Sequence, residues 1–140
     1  MTVKPVYLLD SFAVLAYLNA EPGGNRVREI LELANDGHCR IVMSIINFGE
    51  VLYITERGRG LPAAQIVQAL VESLPVELVE ASRDLILDAA HLKASHPLSY
   101  ADALATATAI QENATILTGD PEFRSVKDLV KLEWLVDDSL

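Results

Sequence analysis

A chain of 140 residues, 51% hydrophobic and 22% charged, has the composition of one globular domain. It is long enough to bury a core without disulfide or metal staples and too apolar to be disordered. Its net charge of −9, from 20 acids against 11 bases, argues against a protein that coats nucleic acid by neutralising phosphates, but leaves open an enzyme that meets nucleic acid through bound cations. One cysteine, Cys39, excludes an internal disulfide and, with three scattered histidines, a Cys/His zinc site.

Short apolar runs alternate with helical patterns along the whole chain, so residues 1–140 are expected to form a single domain. Val6–Leu9 reads as a strand. Ser11–Ala20 reads as a helix stopped by Pro22-Gly23-Gly24. Asn25–Asp36 is amphipathic, with Val27, Ile30, Leu31 and Ala34 on one face and Gly37 as its C-cap. Ile41–Met43 reads as a second strand, Ser44 as the cap of a helix running to about Arg57, and Arg57-Gly58-Arg59-Gly60 as a turn. Pro62–Ser73 reads as a helix and Val76–Val79 as a third strand. Ser82–Ala94 and Ser99–Glu112 read as helices, Thr115–Thr118 as a fourth strand and Leu132–Val136 as a fifth. Strands alternating with helices imply a mostly parallel sheet of about five strands with helices on both faces, a three-layer α/β/α domain. In such folds ligands sit beyond the carboxyl ends of the strands. The longest uncharged run, Gly60 to Val71, is too short to span a bilayer, and Asp10 interrupts the apolar start, so a cytoplasmic protein is expected.

Four acids fall where that crevice should be: Asp10 after the first strand, Glu50 in the helix after the second, Asp102 in the first turn of a helix, and Asp120 after the fourth strand. Three also suit simple capping. Asp10 precedes a helix, Ser99-Tyr100-Ala101-Asp102 fits a capping box, and Asp120-Pro121 is a good helix start. Glu50 is different. Its segment, Ile45 to Ile54, is apolar nearly all round, which predicts a largely buried helix, and no Lys or Arg lies between Arg40 and Arg57 to pair with it. An oxygen-only set of this kind suits Mg²⁺ or Mn²⁺, and such ions can activate water for phosphodiester cleavage.

The stretches LLDSFAVLAYL, MSIINFGEVLY, SYADALATATA and LTGDPEF, in this order and spacing, resemble those of PIN-domain ribonucleases, in particular the VapC-type toxins of toxin–antitoxin pairs. The resemblance implies a five-stranded parallel sheet and a Mg²⁺- or Mn²⁺-dependent endoribonuclease. It also implies a homodimer, an RNA substrate and inhibition by a small cognate antitoxin. By this resemblance Asp10, Glu50, Asp102 and Asp120 are metal ligands, directly or through water, with Ser11 and Thr118 as polar supports. A small residue often stands in the family where this chain has Phe12, which leaves the packing of the first helix open.

Other residues divide between functional and structural roles. Arg57 and Arg59 are the densest basic spot and candidates for contact with RNA or a partner, or simply a solvated turn. The Ala- and Thr-rich helix around Asp102 suits close packing on the sheet or a dimer contact. Phe12, Leu15 and Tyr17 of the first helix are either core or one wall of an antitoxin groove. His38, His91 and His96 read as structural or surface residues. Three alternatives remain. An aspartyl-phosphate phosphatase wants a second Asp where Phe12 stands, and a phospho-receiver domain wants a Lys after its last core strand. A non-catalytic PIN-like interaction module would not need all four acids.

Overall fold

The computed structural model describes residues 3–135. Four-residue strand β1 (Val6–Leu9) leads into α1 (Ser11–Leu18) and α2 (Gly24–Asn35); β2 (Arg40–Ser44) is followed by α3 (Ile45–Arg59) and α4 (Leu61–Ser73). Then come β3 (Glu77–Val79), α5 (Arg83–Ser95), α6 (Tyr100–Glu112), β4 (Thr115–Thr118), a 3₁₀ segment (Pro121–Val126) and β5 (Lys131–Trp134). All strand pairs are parallel, in the order β3-β2-β1-β4-β5. The expected fold class therefore holds. Of the fifth strand's expected range, Val136 lies outside the described residues.

Strand residues alternate between two cores. Leu9, Ile41, Met43 and Leu117 face α1 to α4, packing with Val14, Ile30, Phe48 and Val67. Leu8, Val42 and Ile116 face α5, α6 and the 3₁₀ segment, packing with Leu85, Leu104, Phe123 and Val126. The period of two sends neighbouring residues to opposite faces, and a sheet covered on both faces needs apolar residues at both parities.

Two expectations for α3 are corrected. The Arg57-Gly58-Arg59-Gly60 turn is helical through Arg59, and Gly60 alone, at φ +91°, makes the break before α4. Arg57 and Arg59 suit a last helical turn because cations there offset the helix dipole. The helix is also not buried all round. Asn47, Phe48, Val51 and Thr55 face inward, while Ile46, Tyr53 and Ile54 stay exposed. An outer-layer helix has a solvent side whatever its composition.

The eight residues of α6 from Asp102 to Ala109 are all buried, packed between α5, α3 and strands β1, β2 and β4. Its small side chains are used inside the chain, which leaves them no face for a dimer contact.

The α1–α2 corner depends on a close approach. A Cβ on Gly24 would lie 2.5 Å from the backbone oxygen of Ala16, which cannot move aside as a side-chain tip could. Gly24→Ala should therefore destabilise the fold by about 1–3 kcal/mol, the usual cost of overpacking. A urea unfolding curve with an unchanged midpoint would show that the corner opens freely.

Candidate active site

The strand order sets the site. From β1 the chain steps outward to β2 and β3, then returns to β4 on the other side of β1. The switch point lies between β1 and β4, where the connections diverge and leave a crevice beyond the carboxyl ends. Asp10 directly follows β1, and Asp120 lies two residues beyond β4.

Asp10 is only 1% exposed. Its Oδ1 caps α1, accepting the Ala13 N–H at 2.9 Å, and its Oδ2 accepts the Thr118 hydroxyl. That same hydroxyl oxygen accepts the Asp120 N–H at 2.9 Å. Burial pushes the Asp10 carboxyl up to about 7; the hydrogen bonds from Thr118 and Ala13 pull it down, and the charges of Asp120 and Glu50 add to the rise. A buried carboxylate with both oxygens bonded is poorly placed as a nucleophile, which weighs against the aspartyl-phosphate readings. The strand order of a receiver domain, with β1 between β2 and β3, is also not the one found.

Asp102, read as a candidate ligand, also fits a capping box with Ser99 in its local sequence. The box is half made. Ser99 Oγ accepts the Asp102 N–H at 3.1 Å, but the Ser99 N–H donates to Oε1 of Glu122 at 3.1 Å rather than to Asp102. Glu122 thus takes over the cap and leaves the Asp102 carboxyl to face the other acids. Burial raises Asp102 to about 9, reinforced by Asp120, Asp10 and Glu122 beside it. Asp120 caps the 3₁₀ segment, its Oδ1 accepting the Glu122 N–H at 3.0 Å.

Carboxylate oxygens of Asp102, Asp120 and Glu122 lie within 4.8 Å of one another. Two of these were expected from the sequence. Glu122 was not; the available signal was its spacing of two residues from Asp120. Glu50 is half-buried on α3, close enough for its charge to raise Asp10, and its Oε1 accepts Nδ2 of Asn47 at 2.8 Å. Asn47 is 0% exposed, and its Oδ1 is buried without a hydrogen-bond partner.

Of the remaining candidates, Ser11 is the first residue of α1, next to Asp10, and Thr118 holds Asp10. Arg57 and Arg59 are not brought to the acids. They lie at the far end of α3, Arg57 seven residues or about 10 Å past Glu50. Arg57 stacks on Tyr53 at 4.9 Å, and Arg59 donates to Asn19 Oδ1 at 3.4 Å. Phe12 is accommodated by Gly119. A Cβ there would lie 2.3 Å from the phenyl ring, so the ring fills the space a larger residue would need.

Several ion pairs lie away from the acids, among them Arg26 with Glu29 and Glu133, Arg40 with Glu77 and Glu112, and Arg83 with Asp84. Crowded carboxylates with raised proton affinity, an all-oxygen donor set and an orphaned amide oxygen nearby fit a hard divalent cation.

The raised carboxyls make the stability of the metal-free protein depend on pH. Asp10 and Asp102 bind protons more tightly folded than unfolded, where a carboxyl titrates near 3.8. Their contribution is therefore undiminished below about pH 4 and is lost progressively as pH rises toward about 9. In EDTA the melting temperature should fall across that range, and Asp102→Asn should flatten the fall without unfolding the protein. A steeper fall in the variant would mean that ionised Asp102 stabilises the fold.

The sequence profile of the PIN domain family matches residues 7–129. No curated protein matches the chain in sequence. Among solved structures, it resembles VapBC2 of Rickettsia felis bound to promoter DNA, with TM-score 0.73 and 21% identity, covering 94% of this chain and 99% of that one. VapBC-1 of nontypeable Haemophilus influenzae gives 0.70 and 19%, covering 94% and 99%. VapC20 of Mycobacterium tuberculosis, a sarcin–ricin loop cleaving toxin, gives 0.68 and 18%, covering 86% and 94%. At these identities the likeness speaks for the fold. The profile match runs through the switch point and every carboxylate of the crevice, and the chain belongs to the PIN domain family.

Proposed function

We propose that this protein is a Mg²⁺- or Mn²⁺-dependent endoribonuclease, the toxin of a toxin–antitoxin pair. The observation that carries this reading is the gathering of Asp102, Asp120 and Glu122 at the switch point, with Asp10 and Glu50 alongside, where burial and mutual repulsion raise the proton affinity of two carboxyls and a cation would relieve the crowding. In this reading Asp102, Asp120 and Glu122 hold the ion, and Asp10 and Glu50 reach it directly or through water. A divalent ion bound there supplies Lewis-acid activation of water and neutralises charge on the phosphate under attack.

The chain's own residues do the rest. Thr118 fixes Asp10 by donating to Oδ2, and Asn47 fixes one oxygen of Glu50. His38 lies before β2, exposed His91 lies on α5, and the His96 ring bonds the Leu92 carbonyl. With no histidine pair available, the proton from water must pass to a carboxylate or to solvent. Water rather than the ribose 2′-hydroxyl is then the nucleophile, leaving 5′-phosphate and 3′-hydroxyl ends.

Purified protein should therefore cut RNA with Mg²⁺ or Mn²⁺ and lose activity in excess EDTA. Asp120→Asn should lower the rate by about a hundredfold or more, matching the several kcal/mol a metal contributes. Cleavage that leaves 2′,3′-cyclic phosphates, or persists in EDTA, would overturn the mechanism.

The toxin half of the proposal draws on the sequence resemblance and on the VapBC complexes among the similar structures. The physical support is charge and exposed apolar surface. A −9 chain with an acidic crevice attracts a basic segment, and exposed Ile46, Tyr53, Ile54, Leu61, Ile66 and Leu70 on α3 and α4 offer apolar anchors. Phe12, Leu15 and Tyr17 of α1 are half-buried against the core, which limits them to the rim of such a groove. A homodimer is part of the same reading. Co-expression with the adjacent upstream gene should yield a small co-purifying protein whose complex cuts RNA far more slowly. A complex as active as the free protein would remove the toxin reading and leave the nuclease.

A further inference from the structure

The β5 edge of the sheet carries features that the carboxylate site does not use. β5 is an outer strand, and its Trp134 is in register with Thr118, the residue that holds Asp10. The Leu135 N–H donates to the Thr118 carbonyl at 2.9 Å, which ties this end of β5 to the crevice. Trp134 therefore stands one strand spacing, about 4.8 Å, from the rim of the site. It is 38% exposed, unusual for the largest apolar side chain, and the Arg124 guanidinium lies 5.6 Å from its ring.

Cations continue from there. An open groove of about 620 Å³ along β5 joins Trp134 to exposed Lys131 and Lys127. Both lysines also line a second groove of about 780 Å³ at the amino ends of the strands, together with Lys4. Three of the chain's four lysines thus share one continuous surface, in a protein with net charge −9. The acid on β5, Glu133, does not cancel them, because it is engaged by Arg26 at 2.7 and 3.1 Å. In the second groove Glu112 is likewise engaged by Arg40, and exposed Asp128 beside Lys127 offsets part of the lysines' charge.

An aromatic ring followed by lysines, leading away from a phosphodiester-cleaving site, is the arrangement that holds single-stranded nucleic acid: bases stack and phosphates meet ammonium groups. The geometry points to the β5 edge as the track for single-stranded RNA beside the scissile bond. A base stacks on Trp134, and the backbone runs about 10 Å down the strand past Lys131 and Lys127. The RNA substrate itself rests on the proposed function; the track adds where the RNA lies and which residues grip it.

Trp134 is the only tryptophan, so its fluorescence reports the track directly. The full chain in EDTA, where no cleavage is expected, is titrated with single-stranded RNA of about 12 nucleotides, within the site sizes of single-strand binders. Saturable quenching is expected, and the complementary duplex should quench less. Lys127→Glu and Lys131→Glu should each weaken binding about tenfold and flatten its salt dependence by about 0.7 in log–log slope. In Mg²⁺ they should raise KM and spare kcat. Arg83→Glu, the same charge reversal on an exposed residue just past β3 at the opposite edge, should change neither. Normal cleavage with no quenching and unchanged KM in both lysine variants overturns the track and leaves the nuclease. Quenching and the lysine effects without cleavage in Mg²⁺ or Mn²⁺ uphold the track and overturn the nuclease. Lysine variants that change the oligomeric state but not RNA binding would assign the edge to a protein contact and overturn the track.

Discussion

The hydrogen bond from Thr118 to Asp10 closes the gap that the topology opens between β1 and β4. A parallel sheet whose chain reverses direction has diverging connections at the switch point, and the polar groups there must find partners. One hydroxyl makes two bonds, donating to the carboxylate after β1 and accepting the Asp120 N–H after β4. Asp10 in turn caps α1. Losing the hydroxyl would strand a buried carboxylate oxygen and a backbone N–H together, at about 1–3 kcal/mol each. The polar chemistry of the crevice thus spans the carboxyl ends of β1 and β4, the two strands whose backbone ladder joins the sheet halves.

The crevice tolerates so many carboxylates because backbone dipoles share their charge. α1, α3 and α6 all begin at the carboxyl ends of strands or beside them, so their positive ends face the acids. Asp10 and Asp120 each give one oxygen to a backbone N–H, and Glu122 does so for α6. A lysine would compensate the charge more fully, but its ammonium would occupy the place a divalent ion needs. Burial raises the Asp10 and Asp102 carboxyls, and the partly uncompensated charge of the neighbouring acids adds to the rise.

Much of this was legible in the sequence, because the controlling signals are local. Apolar runs of four residues, the Ser44 and Ser99 caps and the breaks at Gly23 and Gly60 place the elements. Acids directly after strands fall at the crevice in any parallel sheet. What was not legible depends on contacts between distant residues. Asp102 and Ser99 fit a capping box locally, and only the arrival of Glu122, 23 residues away, releases Asp102 from it. The hydrogen bond from Asn47 to Glu50 was within reach, since the two are three residues apart on one helix face. The orphaned Asn47 oxygen was not, because burial is a property of the whole fold. The outward face of α3 misled because apolar composition reports a preference for burial, not whether any layer lies beyond the helix.

The composition of α6 follows from the shortness of aspartate. Asp102 carries its carboxyl on one methylene, so a helix can deliver it to the crevice only by lying close to the sheet. Leucine or phenylalanine at the sheet-facing positions would hold the axis farther out, since interaxial distance follows the side chains at the contact. Alanine at 103, 105, 107 and 109, with buried threonines at 106 and 108, lets the helix settle onto β1, β2 and β4. Threonine is tolerated there because each hydroxyl donates back along the helix, Thr106 to the Asp102 carbonyl at 2.8 Å and Thr108 to the Leu104 carbonyl at 2.7 Å. Small residues carry little apolar area, so α6 contributes less per residue to the core than a leucine-rich helix would. Its packing has been set by where Asp102 must sit, at the expense of the burial a larger side chain would have given.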